Sequence, residues 1–334
     1  VEAVLLRKNG PTYSSPLAIP DIPDSLPGRG EIRVKVSACA ICQTDLHVIE
    51  GDIPPRRLPL VPGHQVVGTV DALGPGAGRS PAGTRVGIAW LAKTCGTCPF
   101  CASGRENLCE APRFTGYHRD GGYAEYAVVP EDFAYAVPSA FSDAEAAPLL
   151  CAGIIGYRAL RRAGLPKGGT LAIYGFGSSA HIVIQLALHR GSKVFVCARG
   201  EKHRELARTM GASWVGKEPA GMPEAADSAI LFAPVGELVP PALMHLKKGG
   251  TLSLGGIHMS DVPAMKYEEC LFYEKTVRSV TANPRRDGED LRREAAYIPI
   301  RPPVTTFFLE KANEALQALK RDKLKGTGVL AVGL

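Results

Sequence analysis

The sequence predicts two folded parts of different class: a mostly β part of irregular barrel type, and a doubly wound α/β part inserted before the chain returns to the barrel. Three observations predict this. A length of 334 residues is more than one core normally serves and suits two domains. Up to about residue 150, short alternating runs punctuated by Gly and Pro recur, as at 63–73, 85–90 and 122–129. From about Gly153 the period changes, and continuous apolar strands alternate with helical runs.

The first part turns on one short stretch. Residues 31–36 (E-I-R-V-K-V) alternate polar and apolar, as a half-buried strand should, and lead directly into Cys39 and Cys42. Cys42, Thr44, Asp45 and His47 then place a thiol, a hydroxyl, a carboxylate and an imidazole within six residues, where a strand ends and a pocket is expected to begin. A buried Cys pair followed by a solvated polar turn would read the same way. Two later residues weigh against that: His64, in P-G-H-Q, and Cys151, in P-L-L-C-A-G just before an apolar helical run. Two thiolates and one imidazole from distant parts of the chain make the three-ligand set of a catalytic zinc with one open position. Asp45 is then the carboxylate expected to orient His64.

A second cluster, Cys95, Cys98, Cys101 and Cys109, lies on a Gly/Pro-rich loop with the spacing C-x2-C-x2-C-x7-C. Four thiolates so spaced predict a closed tetrahedral zinc site, structural because no ligand position is left open. An iron–sulfur cluster is the main chemical alternative.

The second part opens with a helix over 153–162 and a continuous apolar strand over 169–174. The turn Gly175-Phe176-Gly177-Ser178-Ser179-Ala180 follows, then a helix over 181–190 and a second strand over 193–198. A G-x-G-x-x-A turn between strand and helix in a βαβ unit predicts dinucleotide binding, and Leu254 and Gly255, at the end of a later strand, join that candidate site. Further buried-type strands are expected over 229–233, 251–255 and 277–282. Coenzyme choice turns on the second strand's end, which normally carries an acidic residue for the adenosine ribose. Here it reads C-A-R-G, without a carboxylate and with Arg199 at hand, which leans toward NADP over NAD. An amphipathic helix over 309–319 and a strand over 328–332 complete the chain's return to the first part.

Taken together, C-Q-T-D-L-H, G-H-Q, P-L-L-C-A-G and the loop C-x-x-C-x-x-C-x-S-G-R-E-N-L-C, followed by G-Y-H-R-D-G-G-Y-A-E-Y, resemble the zinc-dependent medium-chain alcohol dehydrogenases over essentially the whole chain. The resemblance implies a GroES-like catalytic domain over 1–150 and 284–334, with a structural-zinc lobe at 93–112, and a Rossmann coenzyme domain over 151–283. It implies reversible hydride transfer between a primary or secondary alcohol and NAD(P), with two zinc ions per chain and a homodimer or homotetramer. The matching family residues make Thr44 and His47 a relay that carries the alcohol's proton through the coenzyme ribose to the surface. They also make Ile53 and Trp90 substrate-pocket residues, for which a plain core role is the competing reading. Two positions depart from the family: Gln65 stands where it usually has Glu, and Thr327 where it often has a pyrophosphate-binding Arg.

Composition excludes several classes. Apolar content of 45% and charged content of 22% are ordinary for a globular enzyme, and the net charge of +6 is spread along the chain. No block of basic residues marks a nucleic-acid or membrane partner. The first residues lack a signal peptide's apolar core, and nine cysteines, mostly in ligand spacings, fit reduced thiols in the cytoplasm. A non-catalytic or quinone-reductase-like relative of the fold, or a zinc-ribbon binding protein, is the alternative function.

Overall fold

The computed structural model describes residues 1–333. Its first compact unit comprises residues 1–152, 282–297 and 301–333 and is built on a seven-stranded sheet. The sheet's first member is β1 (Glu31–Ala40), which buries Ile32, Val34 and Val36 and turns Glu31, Arg33 and Lys35 outward, as its alternation requires. β1 pairs antiparallel with β2 (Gln65–Leu73) on one side, and β2 in turn pairs with β3 (Arg85–Ile88). β4 (Tyr126–Pro130) pairs with the first half of β1, and β5 (Ala134–Ala136) extends the sheet beyond β3.

The second unit comprises residues 153–281 and 298–300. Six parallel strands form its sheet: β6 (Thr170–Tyr174), β7 (Lys193–Cys197), β8 (Trp214–Gly216), β9 (Ala226–Leu231), β10 (Leu246–Leu254) and β11 (Thr276–Ser279). Their order, β8-β7-β6-β9-β10-β11, runs outward in both directions from β6, the doubly wound arrangement. β6 is buried throughout, as a central parallel strand must be. β11 differs from its sequence reading as a buried strand: it is the sheet's edge, and three of its four residues are exposed. Its apolar residues are too few to distinguish an edge from a centre by pattern alone.

The chain then re-enters the first unit. β12 (Val304–Phe308) runs parallel to β13 (Thr327–Ala331), and β13 closes antiparallel onto the second half of β1, with Val329 opposite Ala40. Leu330 and Val332 enter the same core as Ile32, Val34 and Leu46. No helix among the described residues is long and apolar enough to cross a membrane.

Candidate active site

β1 ends two residues before Cys42, and a helix, α1 (Gln43–Glu50), starts immediately after it. Cys42 is the extended N-cap residue, and the Asp45 carboxylate reaches back to its backbone N–H at 2.8 Å, a capping-box contact. The stretch after Cys42, to which the sequence analysis assigned no helix, is therefore helical, and its cap fixes Cys42 and Asp45 relative to each other.

Asp45 does a second thing. Its other oxygen lies 3.0 Å from His64 Nδ1, and both side chains are almost wholly buried, at 2% and 1% exposure. A carboxylate accepts only, so Nδ1 carries the hydrogen and the Nε2 lone pair points away from Asp45. Nε2 lies 3.4 Å from Cys42 Sγ, and Cys151 Sγ joins them, all three atoms within 4.8 Å of one another. Two sulfurs and a nitrogen of fixed tautomer fit a zinc ion with one position left over. Without metal the set holds protons: a hydrogen bond shared with Cys151, and then burial, push the Cys42 thiol well up. Burial, the largest influence on His64, works to lower its pKa, but Asp45 and Cys42 together raise it to about 10. Metal uptake must displace these protons, so the set gains affinity as pH rises.

Gln65, next to His64, is fully buried and bridges the segments that carry Cys42 and Cys151. Its Nε2 donates to Ala40 O at 3.3 Å, just before Cys42, and its Oε1 accepts from Ala152 N at 3.3 Å, just after Cys151. The amide thus uses a donor and an acceptor at once, which a carboxylate cannot do. The Trp90 ring meets the His64 ring edge-on at 4.9 Å and stacks on Phe114 at 4.9 Å. Ile53 and Trp90 pack with Val48, Leu60 and Tyr117 in one small apolar cluster. Thr44 is buried on α1, while His47, one turn on, is half-buried, with Nδ1 2.9 Å from Asp52. Sequence reasoning missed Asp52.

The four lobe cysteines gather separately, with sulfurs 3.5–3.8 Å apart along the chain of contacts from Cys109 to Cys95, Cys101 and Cys98. Backbone N–H groups point at them: Cys98 N to Cys95 Sγ at 3.3 Å, Cys95 N to Cys109 Sγ at 3.3 Å, and Ala111 N to Cys109 Sγ at 3.4 Å. The Cys98 and then the Thr97 N–H groups bring Cys95 down to about 6, whereas partial burial takes Cys101 up to about 11. At Cys95 the loop thus stabilises thiolate beforehand, which suits a closed four-sulfur metal site. Glu106, within the lobe, is clamped by Arg285, which donates from Nη2 at 2.8 Å, Nε at 3.0 Å and its backbone N at 2.7 Å.

In the second unit, Gly175 has φ +88°, and a Cβ there would lie 2.7 Å from Ala233 N, so this turn requires glycine. α2 (Ser178–His189) begins at the following Gly177, where no side chain caps it and a Cβ would meet nothing within 4 Å. An uncapped helix start behind an open glycine fits a coenzyme pyrophosphate. Phe176 and Ala180 are buried beneath the turn, which continues through Ser178 and Ser179. Arg199 is exposed beyond β7, and Arg204 holds the backbone there by donating to Ala198 O and Arg199 O at 2.9 and 2.5 Å. Leu254 ends β10, and Gly255 N donates to Leu231 O at 2.8 Å across the neighbouring strand.

The family model for the alcohol dehydrogenase GroES-like domain matches residues 28–139. A protein of Mycobacterium tuberculosis described as a probable alcohol dehydrogenase is 46% identical over 332 residues, covering 98% of this chain and 96% of its own. An alcohol dehydrogenase of Geobacillus stearothermophilus is 32% identical over 333 residues, 96% of this chain and 97% of its own. A solved structure described as an NAD-dependent alcohol dehydrogenase superposes with a TM-score of 0.88 at 26% identity, over 100% of both chains. With a GroES-like barrel, a Rossmann sheet and relatives matched from end to end, the chain belongs to the medium-chain dehydrogenase/reductase family of alcohol dehydrogenases.

Proposed function

We propose that this alcohol dehydrogenase holds two zinc ions per chain and moves hydride reversibly between a primary or secondary alcohol and NAD(P), with a slight preference for NADP(H). One observation carries the proposal: Cys42 Sγ, His64 Nε2 and Cys151 Sγ converge while His64 Nδ1 is committed to Asp45. Cys42, His64 and Cys151 would hold the catalytic zinc, and Cys95, Cys98, Cys101 and Cys109 the structural one. When bound, the catalytic zinc polarises the substrate oxygen and the nicotinamide takes up hydride from the carbon. Everything else falls to the chain. Asp45 keeps His64 in one tautomer, Trp90 and Ile53 present an apolar wall that excludes water, and Thr44 and His47 take the alcohol's proton outward.

Metal analysis with a coenzyme titration and an alcohol panel tests this. Two zinc ions, coenzyme binding and turnover are the expected results; a single zinc, or iron, overturns the proposal. The nine cysteines, none in a disulfide, support a reducing compartment such as the cytoplasm. The exposed edge of β11, with Tyr267, Phe272 and Tyr273 exposed in the same unit, supports a homodimer or homotetramer.

Gln65 gives the site a distinct electrostatic setting. A unit negative charge about 5 Å from the reacting oxygen is worth roughly 3 kcal/mol at an effective dielectric near 20. Gln65→Glu restores the family's charge and removes the donor to Ala40 O. The rising limb of the alcohol-oxidation pH profile is expected to move up by about one unit, since the added anion opposes loss of the alcohol's proton. An unmoved profile in a fully zinc-loaded variant would reduce Gln65 to packing.

Arg199 supports the NADP(H) preference, since the only carboxylate near it in sequence, Glu201, is already paired with Arg204. Arg199→Ala should raise KM for NADP(H) by roughly tenfold, the worth of one charge-assisted contact, and leave KM for NAD(H) nearly unchanged. An equal rise for both coenzymes would mean that Arg199 stacks on adenine instead.

A further inference from the structure

We propose that the substrate is an alcohol with an aromatic body and a carboxylate at its far end, the carboxylate being received by Arg56, Arg113 and His118. The proposal rests on the reading of Cys42, His64 and Cys151 as the place where the alcohol oxygen is held. It names the class of alcohol, which that reading leaves open.

Two short strands build the path from one place to the other. Leu91–Lys93 pairs antiparallel with Arg113–Phe114, Leu91 opposite Phe114 and Lys93 opposite Arg113. Thr115 N donates to Trp90 O at 2.9 Å and Thr115 Oγ1 to Ala89 O at 2.8 Å, which fixes Trp90 beside Phe114. Alternation then turns Arg113 out to solvent and Phe114 in toward the apolar cluster. The rings follow one another away from the metal ligands. Trp90 meets His64 edge-on at 4.9 Å and stacks on Phe114 at 4.9 Å, and Phe114 lies 5.5 Å from His118. Tyr117 flanks the row, 5.8 Å from Trp90 and 4.6 Å from His118. Trp90, Phe114 and His118 are each half-buried, so the row keeps surface that a planar apolar body can cover.

The outer end of the row is cationic. Arg57 donates to Asp120 at 2.6 Å and Arg119 to Glu31 at 2.6 Å, so these two arginines are neutralised. Asp120 also accepts from Val61 N at 3.0 Å, which ties the segment carrying Arg56 and Arg57 to the loop carrying His118. Among the described residues, Arg56 and Arg113 have no carboxylate partner. Burial, and then the charges of Arg113 and Arg56, lower the His118 pKa, so both guanidinium groups act on that ring. Phe114 N donates to His118 Nδ1 at 3.2 Å, so the neutral ring keeps its hydrogen on Nε2, as a donor. Two guanidinium groups and an imidazole N–H thus gather without an anion of their own, and arginine binds a carboxylate through strong charge-assisted hydrogen bonds. The row of rings sets the distance: the charge lies beyond the aromatic body, several bonds from the reacting carbon. In the oxidation that carbon gives hydride to the nicotinamide and its oxygen gives a proton to the relay. The distal carboxylate is left unchanged.

The test compares para-(hydroxymethyl)cinnamate with its methyl ester on the zinc-loaded enzyme, with benzyl alcohol alongside. The native enzyme should favour the acid over the ester by roughly tenfold in kcat/KM, mainly through KM, as suits a few exposed charge-assisted contacts. Arg56→Gln and Arg113→Gln should each cut that ratio by about threefold and together abolish it, with zinc content retained. Arg113→Glu should reverse it, and added salt should shrink it in the native enzyme. A native ratio near one, with both compounds turned over, overturns the proposal and leaves the alcohol dehydrogenase reading standing. So does an equal loss for acid and ester in the variants, which would make the arginines packing residues. Zinc loss in Arg113→Gln overturns it as well, by assigning that charge to the sulfurs of the lobe. Turnover of none of the three alcohols overturns the reading of the site itself, and the proposal with it.

Discussion

Cys151→Ala is expected to give a folded protein with one zinc ion per chain instead of two, and a kcat/KM for alcohol oxidation lowered by roughly 10³-fold or more. The metal's effect on a reacting oxygen is worth several kcal/mol, and each 1.36 kcal/mol is about tenfold in rate. Only one sulfur and one nitrogen would remain, too few to hold zinc against solvent. Folding should survive because Cys151 sits at the end of a short 3-10 turn whose Leu149 and Leu150 supply the packing. Elemental analysis and initial rates check the two halves separately. Full activity with one zinc would transfer the catalytic role elsewhere.

Cys98→Ala should act on stability rather than on the reaction. The helix Pro99–Ala102 that follows Cys98 buries none of its residues, so the lobe has little apolar core of its own. A structural zinc supplies about 10 kcal/mol or more of local folding energy, and without its fourth sulfur that term collapses. The expected result is loss of one zinc, rapid proteolytic cleavage within residues 93–112, and a lower Tm. Glu106 and Arg285 would then be the main tether left to the lobe. A variant that keeps two zinc ions and the native cleavage pattern would show the lobe to be self-supporting.

That Cys42, His64 and Cys151 gather, and the four lobe cysteines likewise, was legible because Cys and His are scarce and stand in spacings that metal geometry favours. The Rossmann strands were legible because central parallel strands admit almost no polar residue, as β6 illustrates. α1 was not legible: its buried face carries Thr44 and Asp45, polar groups that disguise a helical stripe completed by Leu46, Val48 and Ile49. Asp52 looks like any exposed turn carboxylate. Its one signal is Gly51 four residues after His47, a helix stop that turns the chain back. The Glu106–Arg285 clamp spans 179 residues, and no local pattern reports a partner that distant.

The pairing of β13 with β1 has a consequence for biosynthesis. The half of β1 that leads into Cys42 has Val329, Leu330 and Ala331 as its partners. Ala40 and Val329 lie 289 residues apart, with the whole of the Rossmann unit between them, and that stretch takes about 15–60 s to synthesise at ribosomal speed. During that interval the Rossmann unit, whose strands lie close together in sequence, can fold by itself, while β1 waits with one edge open. The lobe, with its four sulfurs between Cys95 and Cys109, can trap zinc in the nascent chain. The Cys42–His64–Cys151 set can form a little later, but its supporting sheet closes only when β13 arrives. A trigger-type chaperone covering that edge would therefore protect the first unit selectively, whereas slow translation between residues 281 and 327 would lengthen its exposure.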